Sequence, residues 1–97
     1  MGLEDYRKEL DIIDKQLEEC FVRRMGVAAR IAEYKRLNGI PTYDPARETK
    51  VVEMHCSGMA EELKPYGTQF FIELMRLSKE YQEALKAEKE TDLTHNY

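Results

Sequence analysis

The sequence has few of the residues and segments that mark several classes of protein. Its 97 residues include two cysteines, three prolines and five glycines. Cys20 and Cys56 are not spaced like metal ligands, and we expect two reduced thiols in a cytoplasmic protein. No apolar run approaches the length of a membrane span, and the N-terminal MGLEDYRKEL lacks the apolar core of a signal peptide. We therefore expect neither a membrane segment nor a metal site.

Charge and composition favour a small helical domain over a nucleic-acid binder or a disordered chain. The formal net charge is −4, and an acidic domain binds nucleic acid poorly unless its basic residues gather on one face. Charged residues make up 35% and hydrophobic residues 42% of the chain, which suits helices better than disorder. Because no strand pattern or internal repeat is present, we predict one all-α domain spanning residues 1–97.

The first predicted helix is long and runs from Leu3 to Leu37. Its apolar positions alternate in spacings of three and four residues, as in a coiled coil. Gly39 follows the last turn and Pro41 prevents continuation, so the segment NGIPTY ends the helix. The seam of this helix is formed by Leu3, Tyr6, Leu10, Ile13, Leu17, Cys20, Arg24, Val27, Ile31 and Tyr34.

The second predicted helix starts at Pro45 and reaches about Leu63. Asp44 has the side chain of an N-cap, and Pro45 fits the first helical position, where a missing N–H costs nothing. Pro65 and Gly67 are predicted to close this helix.

The third predicted helix begins near Thr68, as a possible N-cap, and runs to about Lys86. Residues 87–97 are predicted to form a polar tail that frays. The apolar face of the third helix consists of Phe71, Leu74, Leu77, Tyr81 and Leu85.

The length of the first helix predicts a dimer. A helix of this length spans roughly 52 Å at about 1.5 Å per residue, whereas a compact chain of this size has a radius of gyration of about 13 Å. Two shorter helices of about 20 residues each cannot cover both ends of the seam. We therefore expect an intertwined helical-bundle homodimer in which two long helices pack together.

A helical dimer with a purely structural role does not explain Arg24 and Lys35. Arg24 occupies a seam position, where an unpaired buried guanidinium costs several kcal/mol. It either pairs with an acidic residue across the bundle or faces a cavity that binds an anion, and the sequence leaves both open. Lys35 lies eleven residues on, rotated by about 20° and displaced by about 16 Å, so the two could grip one small ligand.

Three further polar residues occupy positions where a helix usually has an acidic or an apolar residue. Arg47 sits in the first turn of the second helix, at the positive end of its dipole, with Glu48 beside it. Ser78 and Gln82 lie one turn apart beside the apolar face of the third helix, where buried polar groups need partners. Arg7 is about 25 Å from Arg24 along the first helix, so it can join the same site only from a second subunit.

Together these residues describe a cationic pocket in an acidic protein. Guanidinium groups bind carboxylates in a planar, two-pronged geometry. The sequence offers no convincing nucleophile, general base or set of metal ligands. Such a pocket suits a dianionic substrate whose reaction needs shape and electrostatics rather than proton transfer.

The pattern resembles the all-helical class of chorismate mutases over almost the whole chain, from Leu3 to about Leu85. Four motifs carry the resemblance, and their order and spacing across three helices are more specific than any one of them. They are YRKELDIIDKQL with Arg7 and Asp14, VRRMGVAARIAEYK with Arg24 and Lys35, PTYDPARE with Asp44, Arg47 and Glu48, and LSKEYQ with Ser78 and Gln82.

The resemblance implies a homodimeric, cofactor-free isomerase that converts chorismate to prephenate. Arg7 of the partner, Arg24 and Arg47, assisted by Ser78, are then expected to bind the two carboxylates of the substrate. Lys35 and Gln82 are expected to donate to its ether oxygen. Glu48, with the backbone near Asp44, is expected to accept from its ring hydroxyl.

Two other functions remain open on the sequence. An isochorismate–pyruvate lyase would use a similar cationic pocket on the same scaffold. A non-catalytic helical module for dimerisation or regulation would instead show Arg24 paired with an internal carboxylate.

Overall fold

Three α-helices make up nearly all of the part of the chain that the computed structural model describes. That part covers residues 2–95, with side chains up to residue 91. The helices are α1, Leu3–Leu37, α2, Pro45–Cys56, and α3, Lys64–His95. Residues 2–95 contain no strand, so the predicted all-α class is confirmed.

Helix α1 has the bounds that the sequence predicts, because both ends are capped locally. At its start, the backbone N–H of Gly2 donates to Oδ2 of Asp5 at 3.0 Å. At its end, Gly39 adopts a left-handed conformation with φ 64°, which glycine reaches without steric cost. The N–H of Ile40 then donates to the carbonyl of Lys35 at 2.8 Å, which closes the helix in a Schellman motif.

Helix α2 begins at Pro45 as predicted but ends earlier than expected. Oδ1 of Asp44 accepts a hydrogen bond from the backbone N–H of Arg47 at 3.1 Å, so Asp44 is the N-cap. The predicted end at about Leu63 is wrong, because the helix stops at Cys56. Glycine in a helix costs roughly 1 kcal/mol, which disfavours continuing α2 through Gly58. Beyond its chain neighbours, no atom lies within 4 Å of the position that a Cβ of Gly58 would occupy, so close packing does not offset this cost.

Helix α3 is longer at both ends than predicted. It starts at Lys64 rather than near Thr68, because Pro65 falls in the first turn, where proline is tolerated. The predicted end at about Lys86 is also wrong, since the helix continues to His95. Lysine, alanine and glutamate dominate residues 86–90 and are strong helix formers. Residues 96 and 97 of the predicted tail lie outside the described residues.

Helix α3 runs parallel to the C-terminal half of α1. Near the start of α3, Phe70 lines an apolar groove together with Leu17 of α1. Further along, Nζ of Lys86 donates to the carbonyl of Ile40 at 3.2 Å, just beyond the end of α1. The two helices therefore advance in the same direction.

Helix α2 packs antiparallel on α3. The ring of His55, near the end of α2, stacks on Phe71 near the start of α3, with centroids 5.2 Å apart. Near the start of α2, Glu48 pairs with Lys79 further along α3, at 2.9 Å between Oε2 and Nζ. Helix α3 thus lies between α1 and α2, and its packing sets the small core of Ala28, Ala32, Val51, Cys56 and Met75.

Helices α1 and α3 each carry an ion pair between residues three positions apart. Arg36 bonds to Glu33 at 2.7 Å on α1, and Arg76 bonds to Glu73 on α3. The hydrogen bonds from these guanidinium groups hold the pKa of Glu33 and the pKa of Glu73 below the usual range, because they favour the charged carboxylate. The pair of Arg76 is exposed and contributes little stability, whereas the pair of Arg36 is half-buried, with the arginine side chain 24% exposed.

The single chain is elongated and leaves the apolar seam of α1 exposed. Its dimensions are 64 × 29 × 14 Å and its radius of gyration is 17.6 Å, against about 13 Å for a compact chain of this length. Leu3, Leu10 and Leu17 are 63%, 54% and 51% exposed. No helix within the described part is both long enough and apolar enough to cross a membrane.

The N-cap of α2 gives a stability prediction. Asp44→Ala should lower the free energy of unfolding by about 1 kcal/mol, because the amide of Arg47 loses its partner. Asp44→Asn keeps a capping oxygen and serves as the matched control. Urea denaturation at one fixed protein concentration, followed by circular dichroism, measures both. Equal losses in the two variants would show that the cap does not stabilise α2.

Candidate active site

A cavity of about 270 Å³ lies where the three helices and the linker before α2 converge. This is close to the lower end of the range for small-molecule sites, which starts at about 300 Å³. Seven of the eight candidate residues line this one cavity. They are Arg24, Lys35, Asp44, Arg47, Glu48, Ser78 and Gln82.

Helix α1 contributes Arg24 and Lys35 from one side of the helix. Ala28 lines the cavity between them, and its small side chain leaves room for a ligand. Nζ of Lys35 donates to the carbonyl of Thr42 at 3.0 Å, which ties the end of the lysine to the linker. Arg24 lines the cavity and has no ion pair with any of residues 2–91. The position of Arg24 in this lining is consistent with the second alternative, a cation that faces a cavity.

The first turn of α2 presents Arg47 and Glu48 to the cavity. The carboxylate of Asp44 fixes this turn by accepting from the backbone of Arg47. Arg47 does not pair with its neighbour, because Glu48 bonds to Lys79 of α3 instead. The guanidinium that looked misplaced at a helix start is thus left available at the rim of the cavity.

Helix α3 contributes two buried polar side chains, Ser78 and Gln82, each 7% exposed. Nε2 of Gln82 donates to Oγ of Ser78 at 3.1 Å. Oε1 of Gln82 and Oγ1 of Thr42 are buried and lack a partner in the part of the chain with described side chains. Buried polar atoms are nearly always hydrogen-bonded, so these two oxygens mark the most polar wall of the cavity.

Sequence reasoning missed two polar residues of the cavity, Lys79 and Thr42. Lys79 lies three positions before Gln82, and this helical spacing could have placed it on the same side of α3. Thr42 lies in the linker between α1 and α2, where no periodicity applies, and only the path of the chain brings it to the cavity.

The charge of the lining contrasts with that of the protein. Four cations and two carboxylates line the cavity, which gives the lining a net charge of +2, while the whole chain carries −4. Low-dielectric walls of one charge sign concentrate a ligand of the opposite sign. The arrangement therefore suits a small dianion, with neutral donors available for a further acceptor atom.

Arg7 is the candidate residue that this cavity does not include. It lies near the start of α1, where Nη1 bonds to Oε1 of Glu4 at 2.9 Å and the side chain is 60% exposed. The sequence assigned Arg7 to the cavity of a second subunit, and the assignment stays a prediction.

Comparison with known proteins agrees with this architecture. The family model for chorismate mutase type II matches residues 6–83, a range that includes all eight candidate residues. The T-protein of Haemophilus influenzae is 31% identical over 52 residues, which cover 54% of this chain and 14% of that protein. No solved structure matches the chain significantly. Because the family model spans most of the chain and the whole of the cationic cavity, the chain belongs to the chorismate mutase type II family, a family of isomerases.

Proposed function

We propose that the chain converts chorismate to prephenate at the cavity between its three helices. The observation that carries this proposal is the gathering of Arg24, Lys35 and Arg47, none of them ion-paired within residues 2–91, around two buried neutral donors. Chorismate has two carboxylates, and a lining of net charge +2 complements them. The reaction is an intramolecular rearrangement, so it requires neither a nucleophile nor a covalent intermediate.

Arg24 and Arg47 bind the two carboxylates of the substrate. Ser78 assists them, because its oxygen already accepts from Gln82 and its own proton is free to be donated to an anion. Clamping both carboxylates holds the enolpyruvyl ether over the ring in the reactive conformer. This removes an entropic part of the barrier before the reaction begins.

Lys35 and Gln82 act on the ether oxygen of the substrate. In the rearrangement one C–O bond breaks and one C–C bond forms, and negative charge builds up on that oxygen. The linker carbonyl of Thr42 fixes the ammonium group of Lys35, and the second N–H of Gln82 is available. Donors already in place stabilise charge that appears only in the transition state. Lys35, Gln82 and Arg24 are therefore the catalytic residues that we propose.

Glu48 and the backbone near Asp44 bind the ring hydroxyl of the substrate. A carboxylate has two oxygens and can accept several hydrogen bonds. One oxygen of Glu48 is taken by Lys79, and the other is available to a hydroxyl.

We also propose that two chains form an intertwined homodimer with two such sites. Two observations support it: the exposed apolar seam of α1 and a radius of gyration well above that of a compact chain. Large exposed apolar surfaces are typical of interaction sites. A second α1 crossing the first would cover the seam and bring Arg7 of the partner toward the cavity.

The reaction belongs to the synthesis of phenylalanine and tyrosine, for which prephenate is a precursor, and we expect it to take place in the cytoplasm. The chain spans only 14% of the relative that it matches, so the activities of a longer protein are not assigned.

A direct assay separates the two enzyme functions that the sequence left open. Purified protein is incubated with chorismate or with isochorismate, and the products are identified. Loss of chorismate absorbance with formation of prephenate supports the proposal. Formation of salicylate and pyruvate from isochorismate, without prephenate from chorismate, would replace it with the lyase.

Lys35→Ala should lower kcat by about 10²–10³-fold while the fold is retained, because a charged donor to the ether oxygen is lost. Lys50→Ala is the matched control, since Lys50 lies exposed on α2 away from the cavity. Chorismate turnover and circular dichroism measure both variants. A kcat close to that of the wild type would remove Lys35 from the mechanism.

The amide of Gln82 predicts how activity depends on pH. An amide donates at any ordinary pH, so its contribution should persist between about pH 6 and 8. Gln82→Glu introduces a carboxyl that donates only when protonated, so kcat of this variant should fall as the pH rises. Turnover at saturating chorismate across this range compares the two. A steep loss in the wild type would contradict the role of Gln82 as a donor.

Mixing two inactive variants tests whether Arg7 acts across the dimer. Arg7→Ala and Lys35→Ala should each be poorly active alone. The two variants are denatured together in equal amounts and refolded, so that half of the dimers contain one chain of each kind. Each mixed dimer has one complete site out of two, so activity should recover to about a quarter of the wild-type value. Sedimentation confirms the oligomeric state. No recovery in a confirmed dimer would show that Arg7 does not serve the partner's site.

A further inference from the structure

We infer that Lys79 is a positioning residue that holds Glu48 ready for the ring hydroxyl of the substrate, an inference that rests on the proposed function. Nζ of Lys79 lies 2.9 Å from Oε2 of Glu48, and the two side chains are 33% and 28% exposed. Both residues line the cationic cavity. Lys79 lies within the motif LSKEYQ, but the resemblance implied roles only for Ser78 and Gln82 of that motif.

The geometry of this ion pair differs from that of the pairs within α1 and within α3. The pairs of Arg36 and Arg76 described above join residues three positions apart on one helix. The pair formed by Lys79 instead joins α3 to α2, and it is more buried than the pair of Arg76. Partial burial makes such a pair less screened by salt than an exposed one.

A third group fixes the position of Lys79. Its ammonium lies 4.8 Å from the centroid of the Tyr43 ring, in the linker before α2, within the range of a cation–π interaction. Lys79 is therefore held between an aromatic face and a carboxylate that belong to different segments. This restricts the rotamers of Lys79 and, through the ion pair, those of Glu48.

Without Lys79, the carboxylate of Glu48 would have other cations within the same cavity. Arg47 is its neighbour in sequence, and Arg24 and Lys35 line the same space. A pair between Glu48 and one of these would neutralise a cation needed for a substrate carboxylate. Lys79 thus acts on two contacts at once: it orients Glu48 and it leaves the carboxylate-binding cations unpaired.

Glu48 contacts the ring hydroxyl, and the unpaired cations contact the carboxylates, both in the bound substrate and in the transition state. This determines which kinetic constant Lys79 affects. Interactions shared by the two states affect KM and leave kcat nearly unchanged. Lys79→Met should therefore raise KM for chorismate by about tenfold while kcat changes by less than about threefold. Lys79→Arg retains a cation and should restore most of the affinity.

The test compares Lys79→Met, Lys79→Arg, Glu48→Gln and the double variant Lys79→Met/Glu48→Gln by steady-state turnover of chorismate. Lys89→Met, which removes a charge from an exposed position of α3 outside the cavity, is the matched control. If Lys79 acts through Glu48, its substitution should add little in the Glu48→Gln background. Circular dichroism checks folding, and Lys79→Gln replaces the methionine variant if that variant does not fold.

The outcomes separate this inference from the proposed function. A raised KM with non-additive effects supports the positioning role. An unchanged KM, a loss confined to kcat, or strictly additive effects in an active enzyme would overturn that role and leave the proposed reaction intact. Failure of the wild-type chain to convert chorismate would overturn both.

Discussion

The close packing of α3 on α1 through small side chains is the contact on which the rest of the site depends. Ala28 and Ala32 are nearly inaccessible to solvent, so the two helices approach closely along this part of α1. Both alanines lie between Arg24 and Lys35 along α1, and these two cations line the cavity. The same packing that forms the small core therefore separates the two cations along the cavity and sets the polar residues of α3 opposite them.

The charges that line the cavity favour an anionic ligand but lower the stability of the chain by itself. Cations held near one another repel, and the hydrogen bond of Lys35 to Thr42 and the ion pair of Lys79 with Glu48 offset only part of this repulsion. Buried polar atoms without partners cost further free energy. A ligand that binds only the folded chain recovers part of this cost and stabilises the fold by mass action. A cavity with this lining is thus better adapted to an anion than to a neutral or cationic ligand.

Part of this architecture could be predicted from sequence because the signals were local and agreed with one another. The seam of α1, its glycine terminator and the cap at Asp44 each have a single physical reading, and the structure confirms those bounds. Pro65 and Gly67 do not, because proline can end one helix or occupy the first turn of the next. The polar residues after Lys86 were misread for a similar reason, since a solvated segment can be a strong helix former. The pairing of Lys79 with Glu48 depends on how two helices are set against each other, which no local pattern reports.

The left-handed turn at Gly39 has a consequence that reaches beyond the end of α1. It sends the chain back along the last turn of the helix, so that three residues later the carbonyl of Thr42 accepts a hydrogen bond from the side chain of Lys35. The backbone carbonyl of Lys35 is itself part of this stop, because it accepts from Ile40. One residue thus closes a helix with its main chain and places a cation at the cavity with its side chain. A glycine that lines no part of the cavity therefore fixes, through its backbone conformation, where the linker meets that cation.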